Sequence, residues 1–233
     1  MKRAPDDHYL HEVFADFLEA VGDCPRAMAE WEQIHKLIPH DYLAVFRLGK
    51  LQALQGQRAA AESSIRQALA MHPDLGEAWY DLGEIHVLEG KPDLALEDYR
   101  EAIALQPMDA RCHAHRALVL SRLNRQEGAI LAYREAVRLD PGMWEAHFEL
   151  GLLLGLQNDL VGAAKEFGQV VRLRPDFAAA HANLGVALFK QDLLVEARTQ
   201  FEETLRLDPG NKSAMDYLAQ LQTGVRPAPT MPP

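Results

Sequence analysis

Proline recurs along this chain every 34 residues without a slip, and this fixed interval constrains the fold more than any other feature. The members of the series are Pro5, Pro39, Pro73, Pro107, Pro141, Pro175 and Pro209. Proline lacks a backbone N–H and disfavours helical geometry in the residue before it, so each member marks the end of a helix. A period of this length predicts a stack of similar units, because one such unit cannot bury its apolar surface alone.

The residues between the prolines repeat as well. A small residue stands ten positions after each proline, at Ala15, Gly49, Gly83, Ala117, Gly151, Gly185 and Ala219. An alanine stands 22 positions after each of the first six, at Ala27, Ala61, Ala95, Ala129, Ala163 and Ala197. A bulky residue stands 26 positions after them, at Trp31, Ile65, Tyr99, Tyr133, Phe167 and Phe201. Small residues facing bulky ones predict two closely packed helices in each unit.

A third column predicts where the two helices of a unit are joined. Seventeen positions after each of the first six prolines stand Gly22, Gly56, Gly90, Asn124, Asn158 and Asp192. These residue types tolerate a left-handed backbone at the end of a helix. Each unit is therefore predicted to be a helix, a tight turn, a second helix and a proline stop.

This pattern resembles the tetratricopeptide repeat, a helix–turn–helix unit with the signature W-x₂-L-G-x₂-Y, A-x₃-F and a final proline. The third unit is most similar to it, with Trp79, Leu82, Gly83, Ala95, Tyr99, Ala102 and Pro107. The resemblance implies an all-α fold, a right-handed superhelical α-solenoid over residues 6–222. The expected units are about 8–41, 42–75, 76–109, 110–143, 144–177 and 178–210, followed by a capping helix at 211–222 and a flexible proline-rich tail at 223–233.

Composition argues against several classes of partner. The formal net charge is −10, from 34 acidic and 24 basic residues, and such a balance repels the phosphates of nucleic acids. No apolar run reaches the length of a membrane span, and no secretory signal is recognisable, so we expect no membrane insertion. The two cysteines, Cys24 and Cys112, do not form a disulfide framework. We therefore expect a soluble, cytoplasmic protein.

The resemblance also implies where a partner binds. In this family the first helices of successive units line a concave groove that binds peptides or partner proteins. The corresponding positions lie 4, 7, 8, 11, 14 and 15 residues after each proline, which places them on one side of a helix. The candidate partner-binding residues are Phe46, Arg47, Lys50, Tyr80, Glu84, Arg111, Leu118, Arg122, Phe148, Glu149, Leu152, Asn183, Val186 and Phe189. The alternative is that several of the apolar residues simply pack within their helix pair.

Two known binding patterns of the family are not matched. Chaperone-binding members grip a terminal carboxylate with lysine, asparagine and arginine side chains, and the column that should begin with lysine contains none. Members similar to the glycosyltransferase solenoid carry a ladder of asparagines eight residues after each proline, and here only Asn183 stands in that column. The sequence supports neither partner class.

No arrangement typical of catalysis, cofactor binding or metal binding stands out. His11, His113, His147 and His181 share a column with Val45 and Trp79, six residues after a proline, which favours packing. One zinc ion requires nitrogens at about 2.0–2.1 Å and could hardly collect ligands from separate units. The short clusters HYLHE and CHAH are interpreted as solvated surface. We expect no catalytic residue, no cofactor and no metal.

The sequence therefore predicts a scaffold or adaptor that binds a peptide or partner segment in its groove and catalyses nothing. Two alternatives stay open: the substrate-recruiting region of a larger, glycosyltransferase-like enzyme, and a self-associating assembly module. The register from Pro5 to the capping helix favours a self-contained protein, while the in-frame position of Pro5 leaves room for an earlier unit.

Overall fold

The computed structural model describes residues 7–223, and every regular element in that range is an α-helix. The helices are α1 (Asp7–Ala20), α2 (Cys24–Leu37), α3 (Tyr42–Leu54), α4 (Arg58–Met71), α5 (Gly76–Leu88), α6 (Pro92–Leu105), α7 (Ala110–Arg122), α8 (Gln126–Leu139), α9 (Trp144–Leu156), α10 (Leu160–Leu173), α11 (Ala178–Lys190), α12 (Leu194–Leu207) and α13 (Lys212–Thr223). The predicted all-α repeat fold is confirmed. Most of the predicted tail, and Pro5, lie outside the described residues.

The chain divides into two compact units between Leu123 and Asn124. In the first unit each helix packs against the next from α1 to α7, and α3 also contacts α5. In the second unit the same order of packing runs from α8 to α13. The division falls inside the fourth predicted repeat, and the prediction of one uninterrupted domain stays a prediction.

The prolines end the second helix of every repeat. Helices α2, α4, α6, α8, α10 and α12 all stop two residues before a proline, at Leu37, Met71, Leu105, Leu139, Leu173 and Leu207. The residue between helix and proline is extended, as at Ile38 with φ −131° and at His72 with φ −140°. This is the geometry that a following proline imposes on its neighbour.

The turn within each repeat has the left-handed backbone that the sequence predicts. The φ angles are 79° at Gly22, 75° at Gly56, 72° at Gly90, 57° at Asn124, 61° at Asn158 and 67° at Asp192. Asparagine and aspartate replace glycine in the last three turns because their short polar side chains tolerate this region. The prediction is therefore confirmed at every one of these turns.

The two helices of a repeat meet where small and bulky residues face each other. A Cβ atom added to Gly83 would lie 2.7 Å from Cε1 of Tyr99, and one added to Gly151 would lie 2.7 Å from Cε1 of Phe167. The alanines 22 residues after the prolines are at most 1 % exposed. At these positions the two helices of a repeat therefore pack so closely that a larger side chain would not fit.

The last helix covers the apolar end of the second unit. Ala214 is buried, and the ring of Tyr217 stacks on Phe201 with the centroids 4.9 Å apart. Lys212 and Asp216 are exposed, whereas Gln220 is half-buried. A polar outer surface on a terminal helix is what a solenoid needs to remain soluble.

Candidate functional site

All predicted partner-binding residues lie on the first helices of the repeats. In the first unit α3 contributes Phe46, Arg47 and Lys50, α5 contributes Tyr80 and Glu84, and α7 contributes Arg111, Leu118 and Arg122. In the second unit α9 contributes Phe148, Glu149 and Leu152, and α11 contributes Asn183, Val186 and Phe189. Arg111 and Arg122 are exposed, Phe46 is buried, and the others are half-buried.

The first unit holds a polar group that we call the Tyr80 cluster, formed by Tyr80, Glu84, Tyr99, Arg111 and His115. The Tyr80 hydroxyl lies 3.5 Å from Nε2 of His115, and Nδ1 of His115 lies 2.5 Å from Oε1 of Glu84. The hydroxyl of Tyr99 donates to the same Glu84 oxygen. The Arg111 guanidinium lies 5.1 Å from the centroid of the Tyr80 ring. These contacts link α5, α6 and α7 through their side chains.

The Tyr80 cluster contains an ionised carboxylate at neutral pH. Burial raises the pKa of Glu84, but hydrogen bonds from His115 and Tyr99 outweigh burial and leave its pKa below the ordinary value. Burial raises the pKa of Tyr80, so this side chain stays a neutral phenol. The cluster therefore presents fixed donors and acceptors rather than a mobile surface charge.

Asp81 lies beside this cluster with an unsatisfied oxygen. Its Oδ2 atom is buried and has no hydrogen-bond partner among the described residues. Burial raises the pKa of Asp81 to about 6, against the opposing charge of Lys50. The nearby cations are already engaged, because Lys50 Nζ lies 2.5 Å from Oε1 of Glu77 and Arg111 binds Asp109 at 2.6 Å. A buried acceptor without a donor is rare in a folded protein and calls for an explanation.

Asp81 was not among the predicted residues, although the sequence contained a signal for it. It stands eight residues after Pro73, in the groove column where the asparagine ladder would lie. The prediction also left out Glu77 and His115, which lie on the same face. Their positions after a proline can be read from the sequence, but their contacts with residues on other helices cannot.

The second unit presents an apolar face on α9 and α11. The Phe148 ring packs edge-on against Phe167 and Phe177, with centroids 5.7 Å and 5.1 Å away. Trp144 contacts Phe177 at 5.2 Å, and Phe189 contacts Tyr217 at 5.0 Å. Each of these rings is half-buried except Phe167, which is buried. Phe148 and Phe189 thus combine internal packing with a partly accessible ring.

Two of the predicted groove residues lie in other surroundings. Phe46 is 2 % exposed and belongs to the core of the first unit, so its side chain offers no surface to a partner. Arg47 turns toward the preceding repeat, where it pairs with Glu19 at 3.2 Å and lies over the Trp31 ring. The helical spacing predicted the correct helix for both residues, but it could not predict how the neighbouring helices contact their side chains.

The histidine column has a structural role. Nε2 of His147 lies 3.3 Å from the carbonyl oxygen of Pro141, and its Nδ1 lies 2.6 Å from Oε2 of Glu166. Trp79, in the same column, donates its ring N–H to the carbonyl of Pro73 at 2.9 Å. Histidine therefore replaces tryptophan here as a buried ring that ties the helix to its own proline turn, and the packing interpretation of His147 is confirmed.

The interpretation of the CHAH cluster as solvated surface is wrong for Cys112. This residue is 0 % exposed and occupies a position that is alanine in other repeats. Burial raises the pKa of the Cys112 thiol to about 12, which leaves little thiolate for reaction. The His115 side chain keeps 39 % of its surface exposed and is bound within the Tyr80 cluster.

The described helices give no candidate for a membrane-spanning segment, since none is sufficiently long and apolar.

Several solved structures share this fold. YrrB, described as a tetratricopeptide repeat protein with an unusual peptide-binding site, is 19 % identical with a TM-score of 0.71, over 81 % of this chain and 97 % of YrrB. PilF of Pseudomonas aeruginosa is 16 % identical with a TM-score of 0.76, over 92 % of this chain and 98 % of that protein. MamA of Desulfovibrio magneticus RS-1 is 23 % identical with a TM-score of 0.67, over 74 % and 98 %. Identities this low establish a common fold and no more.

Sequence comparison gives the family. Among curated proteins no sequence matches this chain significantly. The family model for the tetratricopeptide repeat matches residues 46–110, 89–144, 115–170 and 157–212, which together make up more than half of the chain. With the proline register and the paired helices, this match establishes that the chain belongs to the tetratricopeptide repeat family.

Proposed function

We propose that this protein is an interaction scaffold that binds segments of partner proteins on the exposed faces of the first helices of the repeats, in each of its two compact units. The observation that carries the proposal is the buried Oδ2 atom of Asp81, which has no donor. The peptide-binding site described for YrrB is consistent with this use of the fold.

The fold itself does not require a carboxylate at this position. The equivalent positions in other repeats hold Val13, Arg47, His115, Glu149 and Asn183, so the framework accepts many side chains there. A buried acceptor without a partner lowers stability, and a protein that keeps one gains something else from it. A backbone N–H or a basic side chain of a bound segment would supply the donor. A basic segment also suits a chain with a net charge of −10.

The second unit contributes apolar contact area to the proposal. Trp144, Phe148 and Leu152 lie on α9 and are all half-buried. Aromatic side chains held in place by neighbouring rings lose little entropy on binding and are enriched at the centres of interfaces. We assign to this face the recognition of apolar side chains in the partner.

The proposed role involves no catalytic step. On the polar face Glu84 and His115 are bound to each other at 2.5 Å, and the Cys112 thiol is buried. Fixed pairs of this kind suit recognition, where geometry must be kept, better than proton transfer to a reacting molecule.

A random peptide library selected on the intact protein tests the proposal. The affinity of the selected peptides is then measured for Asp81→Ala and for Phe148→Ala combined with Leu152→Ser. Losing one desolvated contact should weaken binding about tenfold or more in at least one variant. Glu97→Ala, on the exposed surface of α6, and Val161→Ala, on that of α10, are the matched controls and should bind normally. Selected peptides that bind all these variants equally well would remove the assignment.

Self-association is a second candidate, and the face of α1 favours it. Leu10 and Phe17 are 64 % and 58 % exposed, whereas the equivalent Ala44 and Leu51 in the next repeat are buried. Tyr9 and Val13 extend this apolar face along α1, and Val21 continues it in the turn that follows. Contiguous exposed apolar surface marks an interaction site, and a second copy of the same face would match it in shape and character.

Sedimentation velocity over a range of concentrations tests self-association. A dimer should form as concentration rises, and it should disappear in Leu10→Lys with Phe17→Lys. The control adds the same charge at Val161→Lys and Val195→Lys, which are exposed on other helices. A constant monomer mass for the unaltered protein would exclude this candidate.

A further inference from the structure

A second polar cluster in the first unit lies apart from the partner face, between α4, α5 and α6. It consists of Glu62, His86 and Glu89, with Asp98 behind the histidine. One potential ligand atom from each of the first three side chains lies within 4.8 Å of the others. We call this group the His86 cluster.

The repeat pattern shows that the fold does not need these residues. The position of His86, thirteen residues after a proline, is leucine in four other repeats, at Leu18, Leu120, Leu154 and Leu188. The position of Glu62 is apolar in four others, at Met28, Leu96, Ile130 and Ala164. His86 is only 1 % exposed, and a buried polar ring in place of leucine lowers stability unless its nitrogens are satisfied. Polar residues that depart together from an apolar framework point to a specific use.

Asp98 sets the orientation of the histidine. Oδ2 of Asp98 accepts the proton on Nδ1 of His86, which leaves the lone pair of Nε2 facing the cluster. The exposed Arg66 guanidinium and Oε1 of Glu62 each lie 3.4 Å from that nitrogen. A carboxylate that holds the far nitrogen of a histidine is the usual outer partner of a metal-binding imidazole.

The two glutamates supply negative charge that only surface cations now balance. Oε2 of Glu89 is buried and pairs with the exposed Lys91 ammonium at 2.7 Å. Oε1 of Glu62 lies 3.4 Å from Nε2 of His86 and pairs with Arg66. Both cations are exposed side chains that can turn into solvent.

A cleft opens beside the histidine of the cluster. It has a volume of about 460 Å³, and its lining residues include Arg66, Trp79, His86, Leu94 and Asp98. The cleft brings solvent to His86 and to the aspartate that orients it, whereas Glu62 and Glu89 do not line it.

We propose that Glu62, His86 and Glu89 bind a divalent transition-metal ion of the Zn²⁺ class. One imidazole nitrogen and two carboxylate oxygens are the ligands, and Asp98 positions the imidazole. Bound there, the ion links the second helix of one repeat to the end of the first helix of the next. It displaces Arg66 and Lys91 as the counter-charge of the carboxylates.

Titration of the chelator-treated protein with Zn²⁺ by calorimetry, and with Co²⁺ by visible absorption, tests the proposal. One ion should bind per chain and raise the midpoint of thermal unfolding. His86→Leu places the residue that other repeats use at this position, so it should fold normally and lose the binding. His147→Leu is the matched control, because that histidine is also buried against a carboxylate but should leave binding unchanged.

Two further variants separate a metal site from an ion-pair network. Asp98→Asn should weaken binding about 10–100-fold while keeping one site per chain. Arg66→Gln should strengthen binding, because it removes a cation that competes for Glu62. The proposal is overturned if no saturable binding occurs, or if binding survives His86→Leu unchanged. The partner face carries none of these residues, so either proposal can fail without the other.

Discussion

Gly151 illustrates how one atom decides the packing of a helix pair. A Cβ atom at this position would meet Cε1 of Phe167 at 2.7 Å, and Phe167 is itself held by Phe148 at 5.7 Å. We expect Gly151→Ala to destabilise the protein, because overpacking of about 1–3 kcal/mol exceeds the helix-propensity gain of about 0.5–1 kcal/mol. Urea unfolding measures the difference.

Gly168 is the matched control for this prediction. It lies in the middle of α10, and a Cβ atom added there meets nothing within 4 Å. Gly168→Ala should therefore stabilise the protein by about 0.5–1 kcal/mol through helix propensity alone. Equal effects of the two substitutions would contradict the close-packing explanation.

Asp81 gives a prediction for pH dependence. Its pKa is about 6 in the folded protein, above the ordinary value of 3.8, so the folded state holds the proton more tightly than the unfolded chain. Its contribution to stability is therefore greatest below about pH 4 and is lost as the pH rises through about 6. At pH 7 the ionised carboxylate should lower stability by about 1–2 kcal/mol after allowance for solvent screening.

Asp81→Asn should accordingly stabilise the protein at pH 7, and the gain should shrink as the pH falls toward 4. Thermal unfolding at several pH values measures it, with Glu97→Gln on the exposed surface of α6 as the control. A gain that does not change with pH would show that the carboxylate charge is not responsible.

At the scale of elements, the turn between the two helices of a repeat depends on backbone conformation alone. Gly56 has φ 75°, and no atom lies within 4 Å of a Cβ added there. Gly56→Ala should therefore destabilise the protein by about 1 kcal/mol, because alanine is strained in the left-handed region. Gly56→Asn should have a smaller effect, since Asn124 and Asn158 occupy equivalent turns. Equal losses in urea unfolding would argue against a conformational cause.

The sequence predicts the elements well because their limits are backbone constraints that recur. Six helices end two residues before a proline, and the residues 17 positions after the first six prolines all have positive φ. The sites are harder to predict because they depend on contacts made once. Asp81 Oδ2 has no partner while the nearby Lys50 binds Glu77, and no periodic pattern in the sequence predicts that pairing.

At the scale of the whole chain, one framework supports different chemistry in each unit. The first unit has a cleft of about 460 Å³ that contains His86 and Asp98, and the second has a cleft of similar volume that contains His147 and Glu166. Most of their lining residues stand at equivalent positions two repeats apart in sequence, but the two histidines do not, because His147 corresponds to Trp79 and His86 to Leu154. In the second cleft the histidine is fully used by Pro141 and Glu166, so it serves packing, whereas His86 keeps a nitrogen directed at two carboxylates. Function in this chain therefore lies in its departures from the repeat.

Hydrogen–deuterium exchange of the intact protein, with and without a library-selected peptide at saturating concentration, tests the central claim most directly. The account predicts that bound peptide slows exchange on the first helices of the repeats, with α5 and α9 among them. Slowed exchange confined to the second helices, such as α4, α6 and α10, would contradict it, as would unchanged exchange despite full binding.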